Sequence, residues 1–273
     1  MLLKKIFPCL VIAFVIACSD DSSDFATRPS DRLSSSVESS SSVSSSVSDL
    51  SKRVVGCKTE TKDKCVYGEL LDERDGQTYK TVKMGELWWM AENLNYALLQ
   101  PTEGLDSSSF CYNDSLEYCE IYGRLYLKSA AMDSAGTWSS GGLNCGFYSE
   151  CSPKEPVRGV CPEGWHLPND DDWEALFAVV GDSSLVPLAL KSASGWWEID
   201  NGLDAFGFAA LPAGRRINVA GYYSIGYSTS YWSSTEDSRS TSSCIDFFLN
   251  DEYDYWKREY KDYAFPVRCV KDE

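Results

Sequence analysis

The chain has 273 residues, 43% of them hydrophobic and 13% aromatic, and carries a formal charge of −16 with one histidine. So acidic a chain, with no basic patch, lacks the electrostatic footprint of a nucleic-acid binder or of a protein that clings to anionic membrane surfaces. A lone histidine also leaves no Ser-His-Asp or Cys-His set to read as a catalytic centre.

The first predicted element is a targeting signal over residues 1–17. Lys4 and Lys5 make a positive start, and Ile6 to Ala17 make a mostly apolar run. That run is shorter than the about 20 residues that span a bilayer as a helix, and it suits a removable signal peptide. It closes on Val15-Ile16-Ala17-Cys18, which resembles a bacterial lipobox. The resemblance implies cleavage before Cys18, lipidation of Cys18 and a membrane anchor. Each buried methylene contributes roughly 0.8 kcal/mol and one chain alone holds marginally, so several acyl chains on one residue meet the need. Ser19 rather than an aspartate follows Cys18, and then Asp20 and Asp21; this pattern points to the outer membrane and to surface exposure.

Residues 18–53 form the next segment. Ser34 to Ser48 holds serines, three valines and one glutamate, with no aromatic residue. Such a stretch cannot bury enough apolar surface to offset its ordering entropy. It reads as a flexible tether with a root-mean-square span of roughly 33 Å; a glycosylated stalk is the rival reading.

The globular part is expected over residues 54–273. Of 11 cysteines, Cys9 leaves with the signal and Cys18 is the anchor. An exported chain with nine more should use disulfides. Three short couples stand out: Cys57 with Cys65, Cys111 with Cys119, and Cys145 with Cys151. Cys161 and Cys269 then close a long loop, a link of the kind worth about 4–5 kcal/mol in the chain-entropy account. Cys244 is left over, in a strand-like run, as a buried free thiol. No CxxC is present, so zinc is not expected, nor is any other metal or cofactor.

Two stretches read as helical. Trp173, Leu176, Phe177 and Val180 follow the i, i+3, i+4, i+7 pattern after Asn169-Asp170-Asp171-Asp172. Asn169 is the cap, the aspartates complement the helix dipole, and Gly181 ends the helix. The second stretch runs from Leu116 to Met132. Strands are expected at Thr78–Val82, Leu87–Met90, Phe206–Leu211, Ser230–Ser233, Cys244–Leu249 and Ala264–Val270. Short strands, many turns and two helices indicate an α+β domain.

Several runs carry a family resemblance. They are Asp75-Gly76-Gln77-Thr78-Tyr79, Trp88-Trp89-Met90-Ala91-Glu92-Asn93-Leu94-Asn95-Tyr96, Tyr122-Gly123-Arg124-Leu125-Tyr126, and Gly159-Val160-Cys161-Pro162-Glu163-Gly164-Trp165-His166-Leu167-Pro168. Phe206-Gly207-Phe208-Ala209-Ala210-Leu211-Pro212-Ala213-Gly214, Tyr231-Trp232-Ser233-Ser234-Thr235-Glu236 and Val267-Arg268-Cys269-Val270 complete the set. Together they resemble the Fibrobacter succinogenes major paralogous domain, over about Gly68 to Asp272. The family's usual Gly-Cys-Gly reads Asn144-Cys145-Gly146 here. The resemblance implies a secreted or surface lipoprotein and a C-type-lectin-like fold shared with formylglycine-generating enzymes. It implies no particular reaction, because fold does not fix function.

Three functional readings follow. The first is a non-catalytic binding or adhesion module, for plant polysaccharide. Nine tryptophans and sixteen tyrosines offer faces on which sugar rings stack. Trp88, Trp89, Trp165 and Trp232, inside the family runs, are expected in the core. Tyr222, Tyr223, Tyr253, Tyr255 and Trp256, in polar or glycine-rich runs, are the candidate ligand-binding residues. The second reading is a structural or protein-interaction module that meets another cell-surface protein. The third is an enzyme of formylglycine-generating type, whose cysteine pair would fall on Cys244 and Cys269. No catalytic residue is assigned. The Glu-Pro-Asn or Gln-Pro-Asp triplet of calcium-dependent lectins is missing.

Overall fold

A computed structural model describes residues 49–99, 108–197, 201–218, 221–248 and 255–273. The expected anchor Cys18, nearly all of the expected tether, and Tyr253 lie outside the described residues.

A small ribbon, β1 (Lys58–Thr59) with β2 (Lys62–Asp63), leads into β3 (Tyr67–Asp72), β4 (Gln77–Met84) and β5 (Leu87–Met90). Then come β6 (Ser109–Phe110), α1 (Leu116–Tyr122), β7 (Leu125–Leu127), α2 (Lys128–Ala131), β8 (Trp165–His166), α3 (Asp170–Val180) and α4 (Val186–Leu190). The second half is mostly strand: β9 (Ala213–Ile217), β10 (Gly221–Ile225), β11 (Ser228–Glu236), β12 (Thr241–Phe248), β13 (Trp256–Tyr260), β14 (Tyr263–Phe265) and β15 (Val270–Lys271). This is an α+β domain. One sheet runs β3-β4-β5-β15-β8, and the other runs β13-β12-β11-β9-β14-β7-β6 with β10 paired to β9.

Helix α3 forms as its pattern requires. Asn169 accepts from Asp172 N, and the Asp172 carboxylate accepts from Asn169 N, which satisfies two orphan donors of the first turn. Its apolar face buries Trp173, Leu176 and Phe177. Trp173 lies 4.8 Å from Trp89 and 5.8 Å from Tyr231, ring centre to ring centre. This aromatic core contains Phe206, Phe208 and Phe247 as well. Each such side chain contributes roughly 1.5–3 kcal/mol by leaving water. A second core gathers Tyr126, Leu125, Trp165, Trp232 and Phe265 around the Cys161–Cys269 disulfide.

The structure bonds Cys57 to Cys65, Cys111 to Cys119, Cys145 to Cys151 and Cys161 to Cys269. Cys244 is free and buried, and burial pushes its thiol well above the ordinary range. Trp89, Trp165 and Trp232 are buried, whereas Trp88 is half-buried against the second core.

Three expected elements are revised. The helix over Leu116 to Met132 is broken after Tyr122. Gly123 has φ 73°, and a Cβ there would lie 2.9 Å from the Asn93 carbonyl oxygen. A strand and a short helix follow instead. Phe206–Leu211 is a loop whose one ladder contact is an isolated parallel bridge from Ala210 to Lys191. Ala209 takes φ 51°, its N–H is drawn to Asp204, and the Phe208 and Ala209 carbonyls turn to Arg268. Ala264–Val270 is interrupted after Phe265, where Pro266 has no N–H to give a ladder; pairing resumes at Val270 on the other sheet.

Candidate functional site

Two clefts open around the turn that joins β11 to β12. The larger, about 540 Å³, is lined by Glu150, Cys151, Ser152, Glu236, Asp237, Ser238 and Arg239. The smaller, about 280 Å³, is lined by Asp170, Glu174, Ser243, Trp256, Lys257 and Arg258. They adjoin at an ion pair, in which Arg258 Nε donates to Asp237 Oδ1.

The sheet sets this geometry. In the register of β12 and β13, Arg258 stands opposite Ser243. Trp256 and Arg258 are two residues apart on one strand, so they share a face. Asp170, the first residue of α3, accepts from Ser233 Oγ and Ser243 Oγ, and its N–H donates to Thr235 Oγ1 at 3.0 Å. The helix start is thereby pinned across β11 and β12, and Glu174, one turn on, is left facing solvent in the cleft.

An aromatic ring stands in or beside each cleft. Trp256 is half-buried, its ring 6.0 Å from Phe177. Beside the larger cleft the Cys145–Cys151 disulfide closes a short loop that presents Phe147 and Tyr148, rings 4.2 Å apart. Tyr148 is 62% exposed, and the Arg239 guanidinium lies 5.4 Å from its ring centre. A guanidinium against an aromatic face is a favourable and ordered pairing.

Beneath the larger cleft, two fully buried lysines share one carboxylate. Glu236 Oε2 pairs with Lys261 Nζ, and Oε1 lies 3.4 Å from Lys128 Nζ without a well-directed hydrogen bond. Lys128 Nζ also donates to Ser233 O, and Lys261 Nζ donates to Ser149 O at 3.2 Å, which ties down the disulfide loop. Burial pushes the Lys128 ammonium down to about 8, against the opposing pull of Glu236. The sulfurs of Cys145 and Cys151 lie within 4.8 Å of a Glu236 oxygen. They are bonded to each other, and the carboxylate already serves two ammoniums, so this trio is not arranged to hold a cation.

The predicted ligand residues do not converge. Trp256 lines the smaller cleft. Tyr255 is packed on Phe177 at 4.5 Å and serves the aromatic core. Tyr222 and Tyr223 lie on β10, away from the groove. The Tyr222 hydroxyl donates to Asp114 and its ring sits 5.2 Å from Tyr112; burial and that bond push the phenol up to about 12. Tyr223 is 44% exposed. Tyr148, Glu150, Glu236, Asp237 and Arg239 were missed. One signal was available for Tyr148: a side chain inside a six-residue disulfide interval has no room to reach a core.

Another cleft, about 530 Å³, holds Arg74 and Arg158 beside Glu73 and Glu163. Arg74 is closed onto the buried Asp72 by two side-chain bonds and lies over Tyr96 and Trp138, which reads as internal packing.

A family model described as the Fibrobacter succinogenes major domain matches residues 82–271. No curated protein matches the chain, and no solved structure does.

Proposed function

This chain belongs to the Fibrobacter succinogenes major domain family, and from that premise we propose that it is a non-catalytic extracellular binding module whose groove takes a polysaccharide chain. One observation carries the reading. Two adjoining clefts are walled by carboxylates, hydroxyls and guanidinium groups, with Trp256 lining one and Tyr148 packed against Arg239 of the other. Planar polar side chains suit sugar hydroxyls, and aromatic faces suit the C–H faces of the rings. Two neighbouring clefts that offer both suit a polymer better than a single small ligand.

Lipidation at Cys18 and display on the outer membrane belong to the same proposal, as does a C-type-lectin-like fold. The fold reading is supported by the Trp165-His166 strand leading into α3 and by β15 pairing inside the sheet rather than at its edge. The formylglycine-type reading is weaker, because the Cys269 sulfur is bonded to Cys161 and Cys244 is buried.

The test is retention of the full chain on insoluble cellulose, insoluble xylan and plant cell-wall preparations. Saturable retention is expected, weakened about tenfold, or 1.4 kcal/mol, by Trp256→Ala or Arg239→Ala with the melting temperature kept. In the expressing cell, fatty-acid label should be lost with Cys18→Ser. Absence of retention on every matrix overturns the polysaccharide reading and favours a protein partner.

A further inference from the structure

Trp196 and Trp197 are neighbours in sequence with opposite placements. Trp196 is buried, its indole N–H donating to Ser192 Oγ and the Ala210 carbonyl, both at 3.1 Å. Trp197 is 53% exposed, and it stacks on Tyr227, which is 37% exposed. The two rings are 5.3 Å apart and 20° from parallel.

This pair stands on a rigid base. Trp197 N donates to Gly226 O at 2.8 Å, Gly226 N to Pro212 O at 2.9 Å and Tyr227 N to Ser224 O at 3.0 Å. Gly226 holds φ 81°, a conformation that favours glycine. Half-exposed aromatic rings fixed in this way offer a flat, uncharged, pre-ordered surface. Because the rings are stacked, each covers one face of the other, and what remains for a ligand is an outer ring face, far below the roughly 800 Å² per partner of a stable protein interface. A single pyranose face matches it.

The position is informative. Tyr227 immediately precedes β11, and Glu236 at the other end of β11 lines the groove. Nine residue steps at about 3.3 Å put the two ends about 30 Å apart.

We propose that Trp197 and Tyr227 form a second stacking site for a neutral polysaccharide, at the opposite end of β11 from the groove, so that one domain grips one polymer at two points. The inference rests on the polysaccharide reading of the groove. A lone stacking contact is weak. Linked to a second site it raises retention on a polymer through effective concentration, by up to 10²–10⁴-fold in general.

The experiment compares insoluble cellulose and insoluble xylan with soluble tetrasaccharides of the same sugars, which are too short to bridge the two ends. The full chain, Trp197→Ala, Trp197→Phe, Trp256→Ala and Arg239→Ala are each measured, with melting temperature as the folding control. Trp197→Ala is expected to lower polymer retention at least tenfold, leave tetrasaccharide affinity at the groove within twofold, and be partly rescued by Trp197→Phe. Polymer retention of Trp197→Ala within twofold of wild type, with Trp256→Ala defective, overturns the second site and keeps the groove. Loss with Trp197→Ala but not with Trp256→Ala or Arg239→Ala keeps the stack and overturns the groove. An equal loss of tetrasaccharide binding in Trp197→Ala overturns the two-point geometry. No wild-type retention on either polymer overturns both.

Discussion

Arg268 and the Lys128–Lys261 pair are all fully buried cations in a strongly acidic protein, yet the fold neutralises them differently. Arg268 donates to Met90 O, Phe208 O, Ala209 O and Asn93 Oδ1. Its guanidinium lies over the Phe208 and Tyr231 rings, and no carboxylate among the described residues is within ion-pair distance. The lysines instead share Glu236, a carboxylate that also lines a cleft. The first arrangement uses backbone carbonyls that the fold must satisfy in any case, together with a neutral amide, Asn93, at the wall of a small cleft. The second uses a carboxylate that lines the larger cleft. Burial alone therefore does not tell these cations apart; the charge of the partner does.

The largest expected effect breaks the first arrangement. Arg268→Met leaves several buried acceptors without donors, each worth about 1–3 kcal/mol. A loss of about 4 kcal/mol is expected in chemical denaturation, and a loss below 1 kcal/mol would show that water or relaxation replaces the guanidinium. Next comes the shared carboxylate. Glu236→Gln leaves two buried ammoniums without an anion, a change of the kind that costs about 3 kcal/mol or more. It should also loosen the Tyr148 loop through Lys261, seen as faster proteolysis near residue 149. Adding Lys128→Met should recover part of the stability, and failure to do so would refute the shared-carboxylate account.

The smallest effect is a pH profile that sets these two cases beside a third. Burial opposes a charge on His166, but hydrogen bonds from the ring to Asp172 and Asp272, and their negative charge, outweigh it and raise its pKa above 6.5. Its contribution is fully present below 6.5 and is lost as pH rises through the raised value. Lys128 behaves oppositely. With its pKa lowered from 10.5 to about 8, its contribution is present above 10.5 and is lost as pH falls through about 8. Denaturation midpoints across pH should therefore dip between the two regions. His166→Gln should flatten the acid side and Lys128→Met the alkaline side; an unchanged profile in either variant removes that residue from the explanation.

Much of this fold was legible because local rules governed it. The capping box and apolar stripe of α3 need only residues 169–180, and the three short disulfides close intervals of eight, eight and six residues. Elsewhere distant partners decided. Leu116 to Met132 carries a helical pattern, but Gly123 must approach Asn93. Phe206–Leu211 carries a strand pattern, but Arg268 claims its carbonyls. The groove was legible only at Trp256. Glu150 and Glu236 line one wall although the long stretch of chain between them builds α3, α4 and four strands or parts of strands, and no periodicity encodes such a meeting. Tyr255 illustrates the converse error: a polar neighbourhood in sequence did not keep its ring out of the core.

The position of β15 sets an order on assembly. Val270 pairs with Trp89 on one side and His166 on the other, so this short strand joins β5 to β8. It follows every other described strand in sequence, and Cys269 beside it closes a disulfide across 108 residues. The other three disulfides close within short local segments, whereas this sheet stays in two unjoined pieces until β15 is in place. Loss of β15 and Cys269 leaves them apart and Cys161 without its partner. One short strand and one long-range disulfide thus complete the same sheet together.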